Sequence, residues 1–292
     1  MPLKKSKRSL WKKIIGAIVL LFSILIGLAH YFMDFRKSDV EVKQYFSEEG
    51  FSPVIYHEEY KGKTMRFIAS QELVDTLVTV IFIHGAPGSS SDYYKYFLDK
   101  DLRVKANLVA VDRLGYGYSE FGESEVSIEE QAESIRFFLS KYKLSNTILL
   151  GHSYGGPIAC SLALKYPVKA IVLLAPAISP KHEKMFFING PGSKGPIRWI
   201  LPKVFRVAND EKMAHQAELI KLLPDWERIN TPIYYYHGSE DDVVPYANLS
   251  FIENRVSTEI LKVETLEGEG HFLPWRNYAF VKQKLIDILD CL

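Results

Sequence analysis

The pentapeptide Gly151-His152-Ser153-Tyr154-Gly155 constrains this chain more than any other stretch. It follows the apolar run Thr147-Ile148-Leu149-Leu150, which reads as a short buried strand. It precedes Pro157 to Leu164, whose small and apolar residues suit a buried helix. A strand that passes directly into a helix around one serine must turn sharply. Glycines flank the turn because side chains there would collide, and the serine hydroxyl is lifted clear of the backbone surface, where it can act as a nucleophile. The alternative is a glycine-rich turn with an incidental serine. The two readings separate on whether the rest of the chain supplies a base, an orienting acid and backbone donors for an oxyanion.

The surrounding pattern is one of alternating strands and helices. Val54–Tyr60 and Thr64–Ala69 flank Lys61-Gly62-Lys63 as a β-hairpin. Strands follow at Leu77–Ile83, Asn107–Val111, the run before Gly151, Lys169–Leu174, Ile233–Tyr236 and Ile260–Leu266. Helices are expected over Tyr93–Asp101, from the capping box Ser127-Ile128-Glu129-Glu130 to about Tyr142, after the pentapeptide, over Ala247–Val256 and over Trp275–Leu289. This alternation predicts an α/β fold, a mostly parallel sheet with helices on both faces. It breaks between about residues 176 and 231, a stretch without strands and too long for an ordinary connection, which reads as a small lid insertion. There, Ile197, Ile200, Leu201, Val204, Phe205 and Ala208 recur at helical spacing, and Pro202 is expected to kink that element or start a second one.

The N-terminus has a different character. Residues 14–32 form an apolar run without Asp, Glu, Lys or Arg, about 28 Å long as a helix and close to the hydrocarbon thickness of a bilayer. Residues 1–13 carry Lys4, Lys5, Lys7, Arg8, Lys12 and Lys13, and Asp34 lies beyond the other end. This asymmetry predicts a transmembrane signal-anchor helix with a cytoplasmic tail and a body on the non-cytoplasmic side. A cleaved signal peptide is the rival reading, since Gly27-Leu28-Ala29 resembles a cleavage site. Residues 33–50 read as a polar spacer or short helix, and 51–292 as the globular domain. The formal net charge is +1, but without the six tail cations the remaining 30 basic residues face 35 acidic ones. A mildly acidic body argues against nucleic acid as a partner.

The chemistry-bearing residues come in a testable order. After the predicted strand at 233–236 comes His237-Gly238-Ser239-Glu240-Asp241-Asp242-Val243-Val244-Pro245, in which Asp241 and Asp242 compete as the orienting acid. After the last strand, Gly268-Glu269-Gly270-His271 places His271 in a flexible loop, suited to a base reaching Ser153. The order serine, acid, histidine, each past a strand end, is that of a nucleophile–acid–base triad on a parallel sheet. His84-Gly85-Ala86-Pro87-Gly88 follows another strand, and its small residues permit close backbone approach. The amides of Ala86 and Tyr154 are the expected oxyanion donors, with His84 organising the loop.

These pieces, with Asp112-Arg113-Leu114-Gly115-Tyr116-Gly117-Tyr118-Ser119, resemble the α/β-hydrolase-fold superfamily over about Val54 to Leu289. In that family's pattern the acid stands three residues after the glycine and before Val-Pro, which favours Asp241 over Asp242. Ser153 departs from the aspartate that epoxide hydrolases and haloalkane dehalogenases carry at this turn. Proline iminopeptidases share a similar His-Gly-x-Pro-Gly loop, with a glycine where Ala86 stands and commonly a tryptophan where Tyr154 stands. The resemblance implies a serine hydrolase of the esterase or lipase kind, with Ser153, Asp241 and His271 in acyl transfer. Acyltransferase or peptidase chemistry would use the same triad, and a non-catalytic ligand-binding protein is the rival from another class. No cofactor or metal is expected, because no ligand spacing such as His-Glu-x-x-His is present. The expected partners are a small-molecule substrate with an apolar part, suggested by Phe186, Phe187 and Trp199 in the lid, and the membrane.

Overall fold

The computed structural model describes residues 4–33 and 35–292, with backbone only for 4–8. The side chains of Lys4, Lys5, Lys7 and Arg8, and Asp34 altogether, lie outside the described residues.

The strands are β1 (Val54–Tyr60), β2 (Lys63–Ala69), β3 (Val78–Ile83), β4 (Ala106–Asp112), β5 (Thr147–His152), β6 (Ala170–Leu174), β7 (Ile233–Gly238) and β8 (Leu261–Leu266). They form one sheet in the order β1-β2-β4-β3-β5-β6-β7-β8. Both pairings of the β1–β2 hairpin, with itself and with β4, are antiparallel; from β4 onward all are parallel. Alternation along the strands splits the core into two layers. Ile81, Ile83 and Leu149 face one side and Val80, Phe82, Ile148 and Leu150 the other, all fully buried.

In chain order the helices are α1 (Lys4–Phe32), α2 (Asp39–Glu48), α3 (Tyr94–Leu98), α4 (Lys100–Lys105), α5 (Ile128–Lys141), α6 (Gly155–Ala163), α7 (Asn189–Gly192), α8 (Gly195–Ile200), α9 (Lys203–Leu222), α10 (Asn248–Glu253), α11 (Leu273–Arg276) and α12 (Tyr278–Asp290). Helices α5, α6 and α10 cover one face of the sheet; α2 to α4 and α12 cover the other. Two expected helices take a different form. The one expected over 93–101 is interrupted at Asp99, whose carboxylate caps α4 by accepting from the amides of Asp101 and Leu102. The closing helix is interrupted at Asn277, between α11 and α12. In the lid, Pro202 starts the long helix α9 rather than kinking one element. The 33–50 segment holds α2, opened by a reciprocal capping box between Ser38 and Glu41. Its Val42 and Phe46 are fully buried in the second core layer, each contributing roughly 1.5–3 kcal/mol.

Within α1, Ser9–Phe32 is long and apolar enough to cross a membrane, and none of it is buried against the rest of the chain. Its far end meets the lid, where His30 Nε2 lies 3.1 Å from the carbonyl of Ile200.

Candidate active site

Four loops gather at the carboxyl ends of neighbouring parallel strands, where open α/β sheets place their sites. The His84–Gly88 loop leaves β3, Ser153 leaves the adjacent β5, Asp241 follows β7 and His271 follows β8. The turn at Ser153 is as tight as the sequence demands. Ser153 has φ +53°, a left-handed conformation that a side chain adopts only when its surroundings enforce it. A Cβ on Gly151 would lie 2.5 Å from the carbonyl oxygen of Gly155, and one on Gly155 would lie 2.2 Å from that of Ile83. Only glycine fits at either position.

Asp241 and His271 meet, with Asp241 Oδ2 2.8 Å from His271 Nδ1. Since a carboxylate only accepts, Nδ1 carries the proton, which leaves Nε2 with its lone pair. Oδ1 of Asp241 accepts from the amides of Val243 and Val244, at 2.8 Å each. Burial pushes the Asp241 pKa up, but the bonds from His237 and His271 outweigh it and hold the carboxyl below the usual range. Asp242 is exposed, and its backbone carbonyl accepts from Lys184. Among the described residues Ser153 Oγ makes no hydrogen bond, although Ser153 and His271 line the same cavity. In unliganded enzymes this contact commonly tightens only with substrate. Neither the Ala86 nor the Tyr154 amide donates to another group among the described residues, so both are available beside Ser153.

Three histidines stabilise this arrangement without the sequence having marked their partners. His237 Nε2 lies 3.1 Å from both Asp241 Oδ2 and the Val244 carbonyl, and Tyr235 Oη lies 2.7 Å from its Nδ1. His152 Nε2 donates to the carbonyl of His271 at 3.0 Å. Burial first, then the neighbouring His271, push the His152 pKa down to about 3, so the ring stays neutral and tethers the loop. His84 accepts from the Arg113 amide at Nε2 and donates from Nδ1 to the Gly85 carbonyl. It ties the His84–Gly88 loop to the start of the 113–119 stretch.

Arg113 connects this loop to the lid. Its guanidinium donates to the carbonyls of His84 and Gly85, and on its other side to Glu211 of α9 at 2.6 Å. Arg113 and Glu211 are both fully buried. Tyr116 adds a bond to Glu211 at 2.6 Å, and Gln131 another at 3.3 Å. Asp112 ties Arg66, Ser90 and Tyr118, and a Cβ on Gly117 would fall 2.0 Å from its carboxyl carbon. The 112–119 stretch is therefore scaffold.

Two cavities meet at Ser153. One, of about 250 Å³, runs under the lid between Ser153, Tyr154, Phe186, Leu201, Phe205 and His215. The other, of about 480 Å³, lies on the His271 side, with Phe35, Asp92, Phe272 and Trp275 in its wall. Ala86, Pro87, Ser153 and Val243 belong to both. The site can thus accommodate two substrate parts on either side of the serine. Among the described residues, no cluster of three or more His, Cys, Asp or Glu is placed to hold a metal ion.

Known proteins agree with this architecture. Residues 78–192 match the family model described as alpha/beta hydrolase fold. Among curated proteins, the chain is 38% identical over 104 residues to a probable lysophospholipase, BODYGUARD 2, of Arabidopsis thaliana, covering 33% of this chain and 22% of that protein. It is 32% identical over 108 residues to a probable 1-acylglycerol-3-phosphate O-acyltransferase of Oryza sativa subsp. japonica, covering 34% and 25%. These matches span only about a quarter of the relatives' own length. Among solved structures, a membrane phospholipase A described as a bacterial virulence factor superposes with a TM-score of 0.65 at 18% identity, covering 96% of this chain and 98% of that one. Sheet order, strand-end loops and these matches converge: the chain has the α/β-hydrolase fold.

Proposed function

We propose that this chain is a membrane-anchored serine hydrolase that cleaves an ester or related carbonyl substrate through an acyl-enzyme. The observation that carries this reading is Ser153 in a left-handed turn between two cavities, with His271, paired to Asp241, in the wall of one of them. In the proposed reaction His271 Nε2 takes the proton of Ser153 as Oγ attacks the carbonyl carbon. Asp241 holds the ring in the required tautomer and balances its positive charge. The amides of Ala86 and Tyr154 receive the oxyanion, a service worth roughly 3–4 kcal/mol per donor in comparable sites. His271 then returns the proton to the leaving alcohol, and activates water to release the acid.

A lipid or ester substrate fits relatives named as lysophospholipase and phospholipase. It also fits the position of the lid beside α1. Phe187 and Trp199 are 93% and 77% exposed on that lid, and Phe35, just past α1, both packs on Phe205 and lines the cavity beside His271. The basic residues ahead of the apolar stretch favour a cytoplasmic N-terminus with the domain on the other side. Protease digestion of the domain only after the cytoplasmic face is opened would contradict that topology. A second reading, transfer of the acyl group to an acceptor alcohol, is favoured by the relatives named as acyltransferases. Product analysis with glycerol competing against water separates the two. The direct test of the hydrolase reading is labelling by a fluorophosphonate probe. The wild type should label and Ser153→Ala should not; equal labelling of both, or of neither, defeats it.

A further inference from the structure

The segment that joins α1 to the domain is fastened more tightly than a spacer needs to be. The Arg36 guanidinium lies 4.0 Å over the ring of Phe121. The Lys37 carbonyl accepts from Arg66 at 2.8 Å. The Asp39 carboxylate meets Arg66 at 3.0 Å and His57 at 2.7 Å. Arg66 is itself buried in β2, so residues 36–39 are fixed on the body of the protein and place Phe35 ahead of them.

Phe35 is held in an unusual state. Its φ is +53°, in the left-handed region, which is costly for a bulky side chain and persists only where the surroundings enforce it. That backbone accompanies a particular placement of the ring. The ring lies in the wall of the cavity that holds Ser153 and His271, a wall it shares with Phe272 and Trp275. It also meets Phe205 of the lid edge-on, with centroids 6.1 Å apart, and Phe205 lines the other cavity. Phe35 is 43% exposed, so it stands at the rim of its cavity and not in the depth. We infer that Phe35 is a specificity-determining residue: its ring closes the outer end of this cavity, where α1 meets the lid, and limits the length of apolar chain a substrate can lay there. The segment next to the membrane-spanning helix thereby completes the active site. This rests on the hydrolase reading above and adds to it a limit on the apolar part of the substrate.

The test varies each half of the substrate in turn, on the full-length protein in detergent. p-Nitrophenyl esters from butyrate to dodecanoate vary the acyl chain, and acetates from butyl to dodecyl vary the alcohol. Phe35→Ala should move the optimum of one series to a longer chain. Esters about two methylenes beyond the wild-type optimum should gain about tenfold in kcat/KM relative to the shortest member, since each buried methylene is worth about fourfold. Phe35→Gly, which adopts the left-handed conformation without cost, should show the same shift, and agreement between the two assigns it to the missing ring. Phe35→Leu removes less bulk and should shift the optimum less; it decides the matter if either of the others no longer labels with fluorophosphonate. Unmoved optima in both series, a loss equal at every chain length, or a shift in Phe35→Ala that Phe35→Gly lacks would overturn the inference. If no ester of either series is turned over, or Ser153→Ala turns them over equally, the hydrolase reading itself has failed.

Discussion

Around Ser153 the chain is fixed by backbone contacts that leave no room for a side chain, whereas the lid above it is fixed by charges that meet across 98 residues of sequence. The first kind of order is local. Gly151 and Gly155 are required by atoms within a few residues or on the next strand, and the left-handed Ser153 follows from them. The second kind is long-range. Glu211 of the lid is useful only because Arg113, Tyr116 and Gln131 have been brought under it by the sheet and α5. Arg113 takes part in both, since the same guanidinium holds the His84 and Gly85 carbonyls beside Ser153. The difference teaches where each region should fail under mutation: the turn through geometry and chemistry, the lid through uncompensated charge.

The largest effect is expected at Asp241. Replacing it with Asn leaves the size of the side chain unchanged but removes the charge and permits the wrong imidazole tautomer, so kcat should fall by roughly 10⁴. Asp242→Asn, on an exposed side chain outside this contact, should leave ester turnover near that of the wild type. Equal losses in the two variants would erase the distinction between them.

At the lid, Glu211→Gln leaves the Arg113 cation buried and unpaired, which should cost about 3–5 kcal/mol in urea unfolding. It should also lower kcat, because Arg113 positions the His84–Gly85 carbonyls. Unchanged kcat with reduced stability would show that lid and turn are independent. The paired replacement Arg113→Met with Glu211→Leu should recover much of the stability, yet leave turnover impaired.

A smaller, pH-dependent effect separates the regions further. The Asp241 carboxyl is held below the ordinary aspartate value, so its contribution to stability is present above the unfolded-state pKa and lost as pH falls through the native one. Wild-type stability should therefore drop more steeply than that of Asp241→Asn as pH is lowered below about 4. Parallel curves would contradict the pairing with His237 and His271. The smallest effect is at Ser127, which caps α5 by accepting from the Glu130 amide at 3.2 Å; Ser127→Ala should cost about 1 kcal/mol, with no change in kcat.

How much of this was legible in the sequence follows the same division. Most of the parallel strands were visible as apolar runs and β1 and β2 as a hairpin around Lys61-Gly62-Lys63, and the glycines at 151 and 155 marked the turn because steric need acts over a few residues. The positions of Asp241 and His271 past strand ends also followed from order along the chain. What escaped was side-chain partnership across the fold. Nothing near His237 indicates that it braces Asp241, nor does anything near His152 show that it holds the His271 carbonyl. The interruptions at Asp99 and Asn277 sit inside runs with good helical periodicity. There the capping carboxylate of Asp99 and the docking of Tyr96 Oη on the Pro274 carbonyl set the boundaries. Likewise α2 reads as polar, and its two buried residues count only because α3 and β2 supply their neighbours.

The central claim is that Ser153 carries the acyl group, and mass spectrometry of the protein quenched during turnover of a slowly hydrolysed ester tests it most directly. The account predicts an acyl mass increment confined to the peptide containing Ser153, more abundant when the second step is slowed. Turnover with no such increment, or with the increment on another residue, would contradict it.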